Sequence, residues 1–238
     1  MEPRKNLTEK ELGDDKPKSS DRPDTYFRKA LAFTLKHYSK EMEHISSTKF
    51  EGLTPEKFFL ECMWVIHATG FNAQVVGQMM PKLIVAYGDW KILGRENREN
   101  IIERVAIVCN NPAKIESVQS IAGLMINGSS DTKDGWELFK QERLSSPDKL
   151  KELPYIGKVT CFHLARNIGL LDSVKPDLHL VRLAKYWGYQ DCIELCKYFQ
   201  ESHEKKTGTR YPLGIIDLVL WYAASSTGTI DIRKPGER

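Results

Sequence analysis

The sequence predicts an all-α protein, and three observations predict it. Apolar residues recur at helical spacing through nearly the whole chain, helix-starting signals such as Thr54-Pro55-Glu56-Lys57 precede the apolar stretches, and no apolar/polar alternation with hairpin turns competes. In chain order, residues 26–40 form an amphipathic helix. Thr54 and Pro55 cap and start a long apolar helix that runs to about His67. Residues 73–87 and 99–109 continue the pattern until Asn111-Pro112 interrupts it, and 113–125 resume it. Gly128-Ser129-Ser130-Asp131 marks a loop. Residues 136–142 and 148–153 lead into a tight turn, and helices follow at 159–167, 177–187, 192–204 and 212–224. There is no internal repeat.

Composition bounds the function. The chain has 238 residues, 41% of them hydrophobic, enough to bury a sizeable core as one domain or two closely packed lobes. Residues 1–24 carry six Lys/Arg and seven Asp/Glu with almost no large apolar residue, the composition of a disordered charged tail. The remainder keeps 29 basic against 25 acidic residues, so any polyanion must be met by a local basic face rather than by a global excess. No apolar run is long enough to span a bilayer and no secretory signal is visible, which points to an intracellular protein with no membrane partner. Five cysteines, at 62, 109, 161, 192 and 196, fit reduced thiols better than a disulfide framework. Cys192 and Cys196 are two potential ligands on one helix face, too few for a metal site, and no His/Cys/carboxylate arrangement reads as catalytic zinc or iron.

The most informative stretch is 153–182. Leu153-Pro154-Tyr155-Ile156-Gly157 frames a short turn between two helical segments, and Gly157, Lys158, Val159 and Thr160 leave backbone N–H groups at the start of the second helix, where a phosphate is gripped. One helix later Gly169 ends the periodic pattern, and Pro176-Asp177 opens a new helix with a carboxylate at its N-terminal edge. Read from periodicity alone, Asp177 is a helix cap.

Together the two parts resemble the helix-hairpin-helix, Gly/Pro-rich loop and Asp signature of the DNA base-excision glycosylases. Leu153, Pro154, Ile156, Gly157 and Thr160 match the family's hairpin, and Asp177 matches its acid at the family's spacing. Tyr155 in place of Gly, Cys161 in place of Ala and Pro176 in place of an aliphatic residue depart from it. Residues 58–83, with His67-Ala68-Thr69 at the centre, are similar to an early family segment, so the resemblance covers roughly residues 50–190.

The resemblance implies a two-lobed helical fold with an active-site cleft between the lobes. Residues 53–158 would form one lobe; residues 25–52 would join 159–238 in the other. It implies a partner, double-stranded DNA containing a damaged or modified base, and a monomeric enzyme in cytoplasm or nucleus. Asp177 would stabilise the oxocarbenium-like sugar or orient the attacking water. Backbone-cutting members carry an amine where this chain has Val159, so the implied activity is monofunctional: hydrolysis that leaves an abasic site. Lys158 is implied as a phosphate contact, with a solvated lysine as the alternative.

Val159, His163, Trp221 and Tyr222 are the implied base-pocket residues, with buried structural roles as alternatives for the last three; Trp64 reads as core. His67 and, more weakly, Arg95 are implied to fill or wedge the gap left by the flipped base, while Glu61 reads as structural or exposed. The hairpin would hold a K+ or Na+ ion through the carbonyls of Lys151, Leu153 and Ile156, and the absence of a four-cysteine loop implies no iron–sulfur cluster. Two other readings stay open: a glycosylase/lyase using a lysine outside the usual place, and a hairpin module that binds DNA without chemistry. Which base is excised is not written in the motif.

Overall fold

The computed structural model describes residues 17–18, 20–71 and 73–227. Within them the protein is all-α, with no strand. The chain divides into two compact units, one spanning Thr48–Leu170 and one built from residues 17–47 together with 171–227. The division falls after the second hairpin helix, at 170, rather than at the expected 158. Residues 1–16 of the expected tail lie outside the described residues. Its last two residues are not tail: Pro23 and Asp24 open the first helix, and Asp24 accepts bonds from Tyr198, Ser202 and Lys206.

The first unit is organised by α3 (Pro55–Ala68), started by Thr54 Oγ1, which accepts from Lys57 N–H at 3.2 Å, and by Pro55 in the first turn. Phe58, Phe59, Cys62, Met63, Trp64, Val65, Ile66 and His67 are all buried on it. A helix buried on most of its circumference belongs inside a core, and α7 (Pro112–Asn127) and α10 (Thr160–Asn167) pack directly against it. Around this centre lie α4 (Ala73–Tyr87), the short α5 (Trp90–Leu93), α6 (Arg98–Ala106), α8 (Lys133–Phe139), a π turn over Lys140–Leu144 and α9 (Pro147–Leu150). The Trp136 indole donates to Leu53 C=O at 2.6 Å and anchors α8 beneath the start of α3.

In the second unit α1 (Pro23–His37) lies along α13 (Leu213–Thr227), and Thr34 Oγ1 donates to Val219 C=O at 3.4 Å. The expected single helix over 26–40 is broken at Tyr38, where φ is −136°, and α2 (Ser39–Ser47) follows. Helices α11 (Leu178–Tyr186) and α12 (Cys192–Thr207) complete the unit. Its core is aromatic: Phe27 stacks on Phe199 at 5.0 Å, and Tyr38 on Tyr222 at 4.1 Å.

Candidate functional site

The hairpin belongs to the first unit. Leu150, Leu153, Ile156 and Cys161 are buried and pin the turn to the core, leaving Tyr155, Gly157, Lys158 and Val159 exposed. Ile156 N–H donates to Leu153 C=O at 3.1 Å, which closes the turn. Tyr155 stands at φ +64°, the left-handed region in which a side chain is disfavoured and glycine is at home. The exchange of Gly for Tyr at this position is therefore a strained one, although the residue types alone read as a mild change.

Local bonding also redistributes the hairpin's donors. Gly157 N–H is taken by Thr160 Oγ1 at 2.7 Å, and Gly157 C=O accepts from Cys161 N–H at 3.0 Å. The Gly157 N–H and the Thr160 hydroxyl thus brace the start of α10. The backbone amides of Lys158, Val159 and Thr160 enter no hydrogen bond among the described residues. Of the carbonyls expected to hold a monovalent ion, that of Leu153 accepts the turn-closing bond and keeps one lone pair for a cation.

Asp177 lies in the second unit and is the N-cap of α11. Its Oδ1 accepts from the N–H groups of His179 at 2.9 Å and Leu180 at 3.1 Å. Oδ2 is shielded from solvent, has no hydrogen-bond partner, and lies 3.9 Å from the ammonium of Lys175. Asp177 N–H donates to Lys175 C=O at 2.8 Å, and Lys175 N–H donates to Asp217 Oδ2 at 3.0 Å. Asp217 is fully buried on α13. The loop before the acid is fixed to the same helix, because Gly214 N–H donates to Leu171 C=O at 2.7 Å and a Cβ at Gly214 would meet that oxygen at 2.9 Å. Cys192 is buried near these acids: desolvation first, then the charges of Asp177, Asp217 and Asp191, push its thiol up to about 12. A thiol held protonated in this way is no nucleophile.

Two expected site residues prove to be core. His67 is only 1% exposed; Nε2 pairs with Tyr87 Oη at 3.0 Å, and burial lowers its pKa to about 4. It cannot fill a gap in a duplex, because its ring is enclosed in the protein. Tyr222 is 5% exposed and stacked against Tyr38, so it packs the core instead of lining a base pocket. The other expected positions are at least partly accessible: Val159 and Arg95 are exposed, and His163 and Trp221 half-buried. Val159 and His163 belong to the hairpin unit and Trp221 to the unit of Asp177. Trp64 is buried, as expected. Glu61 accepts from Asn167 Nδ2 at 2.9 Å and ties α3 to α10, and burial raises its pKa.

Sequence reasoning missed Lys175, Asp217 and two buried lysines. Asp217 carried a signal, being the one acid in the apolar run 213–224. Lys114, 1% exposed, donates to His67 C=O at 2.9 Å and Thr69 C=O at 2.6 Å, closing the end of α3. Lys140 donates to Glu51 C=O at 3.0 Å. Both occupy the inward stripe of their helices, where an apolar residue is the ordinary choice.

No family model matches the chain, and no curated protein does. Among solved structures, a chain described as "Structure of a Trapped Endonuclease III-DNA Covalent Intermediate: Estranged-Adenine Complex" is similar, with 17% identity, a TM-score of 0.49 and 84% of each chain covered. A likeness this distant carries no argument about the activity or the residues of this chain.

Proposed function

We propose that the chain is a DNA glycosylase that extrudes a damaged, mispaired or modified base and hydrolyses its N-glycosidic bond. The observation that carries this reading is the fixing of Asp177 at the start of α11. Two backbone amides hold Oδ1, so the carboxylate has one orientation and one oxygen left over for chemistry. As the C1′–N bond lengthens, positive charge develops on the sugar, and a preoriented carboxylate in a poorly solvated site stabilises that charge without reorganising. The same carboxylate orients or deprotonates the attacking water.

The hairpin supports DNA as the partner. The backbone amides of Lys158, Val159 and Thr160, at the start of an eight-residue helix, have no hydrogen-bond partner among the described residues and are available to a backbone phosphate, and the exposed Lys158 adds charge. A monovalent cation on the carbonyls of Lys151, Leu153 and Ile156 would add further positive charge beside that phosphate. Val159 supplies no amine at the hairpin, which supports water as the group that displaces the base. The enzyme would act as a monomer wherever DNA is housed, in cytoplasm or nucleus.

The test is a panel of duplexes, each with one alkylated, oxidised, mismatched or bulky modified base, followed by alkaline cleavage at abasic sites. Asp177→Asn is the informative variant, because Asn caps a helix as well as Asp and leaves the fold in place. Base release should fall by about two to three orders of magnitude. Release at an undiminished rate in the Asn variant sinks the assigned role.

A further inference from the structure

We propose that Lys175 is a second catalytic group of this chain: an amine that condenses with the aldehyde of an abasic site and cuts the strand beside it. The proposal rests on the glycosylase reading, since base release is what generates that aldehyde. It assigns a strand-cleaving activity to a lysine that lies outside the hairpin, two residues before the acid.

The geometry comes entirely from the second unit. Lys175, Pro176 and Asp177 form a three-residue turn closed by the 2.8 Å bond from Asp177 N–H to Lys175 C=O, with the ring of Pro176 restricting the middle of it. Such a turn brings its first and third side chains together, and here Lys175 Nζ lies 3.9 Å from Asp177 Oδ2. The turn itself cannot drift, because Lys175 N–H is held by the buried Asp217 on α13 at 3.0 Å. From that same helix Trp221 offers its indole to the ammonium, 5.9 Å from the ring centroid. The Lys175 side chain is 17% exposed, so the amine is not a solvated tip sweeping through water. A long flexible residue is thus confined next to the one oxygen that the helix cap leaves over.

An amine beside a carboxylate can do what neither does alone. Lys175 passes one ammonium proton to Asp177 Oδ2, and the freed lone pair adds to C1′ of the ring-opened sugar aldehyde. The carbinolamine takes the proton back from Asp177 and loses water, giving an iminium and restoring the carboxylate. Asp177 then removes a proton from C2′. The C–H electron pair becomes the C2′–C3′ double bond, and the C3′–O bond breaks with its electrons on the departing phosphate. Water hydrolyses the conjugated iminium and returns the lysine, and Asp177 gives the C2′ proton to water, which restores the carboxylate. Nothing is oxidised or reduced, and water is the only co-reactant. Base displacement still belongs to water, in keeping with Val159; the amine acts on the product.

The experiment uses the full chain and a 5′-labelled duplex carrying a single abasic site, with sodium borohydride present. Borohydride reduces the iminium to a stable amine, so a covalent protein–DNA adduct is expected. Peptide mapping of the wild-type adduct should place it on Lys175, and Lys175→Gln should reduce trapping to background. The map keeps the test decisive even if the variant folds poorly. An adduct mapped to another lysine overturns the assignment, and so does the absence of any adduct from protein that binds the abasic duplex. Base release from modified duplexes is scored separately. An adduct on Lys175 without base release from any substrate supports the lyase and overturns the glycosylase reading, whereas base release without an adduct does the reverse.

Discussion

Tyr155 offers a measurement in which the strain of the hairpin can be read almost alone. Tyr155→Gly and Tyr155→Ala remove the same ring from the same partly exposed site, so whatever the ring contributes cancels between them. What differs is one Cβ at φ +64°. A Cβ in the left-handed region costs about 1–2 kcal/mol. Glycine gives back roughly 0.5–1 kcal/mol of that through its greater loss of backbone freedom on folding. The glycine variant should therefore be the more stable of the two by about 0.75 kcal/mol at the midpoints of these ranges, and by at most about 1.5 kcal/mol. In a chain of 150–250 residues each kcal/mol moves the melting temperature by about 2–4 °C, so the expected gap at the midpoints is about 1.5–3 °C. Thermal melts of the two variants, followed by circular dichroism in one buffer, make the comparison. An alanine variant melting at or above the glycine variant would show that the hairpin relaxes to negative φ, and the reasoning about its strain would fail.

Two further predictions concern the scaffold. Gly169, at φ +96°, follows the second hairpin helix, and a Cβ there would sit 2.5 Å from Phe50 N and 2.8 Å from Lys49 C; Gly169→Ala should lose more than about 2 kcal/mol, read by denaturant titration, and a loss below about 1 kcal/mol contradicts the close approach. His67 is held neutral, its folded pKa of about 4 lying below the 6.5 of the free side chain. Protons therefore favour the unfolded chain between those values, and stability is lost as pH falls from 6.5 towards 4. Wild type should lose about 3 kcal/mol more than His67→Gln between about pH 7.5 and 4, and parallel pH profiles of the two would refute it.

Much of this architecture was legible because it is written locally. Thr54-Pro55 announces its helix through a capping oxygen and a ring suited to the first turn, and the helix starts there; Asn111-Pro112, read as an interruption, is the cap and first residue of the helix that follows. Asp177 was legible as a cap for the same reason. Burial depends on partners distant in sequence and could not be read in this way. His67 sits at a helix end, where an exposed polar residue is ordinary, yet Tyr87 and Lys114, from two later helices, enclose it. Lys114 and Lys140 look solvated in the sequence and become interior donors only once carbonyls 47 and 89 residues away come within reach. The strain at Tyr155 was illegible for a different reason: the residue type is visible, but the sign of φ is set by how the turn closes.

The pairing of α1 with α13 has a consequence for how the molecule comes into being. Thr34 and Val219 are 185 positions apart, and the whole of Thr48–Leu170 lies between the two segments they join. During synthesis the inner unit has every residue it needs once Leu170 has emerged, and it can collapse around α3 while the ribosome is still translating. Phe27 can stack on Phe199 once α12 is made, but the part of α1 that lies along α13, at Thr34, must wait uncovered until α13 arrives. The first of the described helices thus completes its shelter last, and nascent chains stalled before α13 are the species that chaperones should hold.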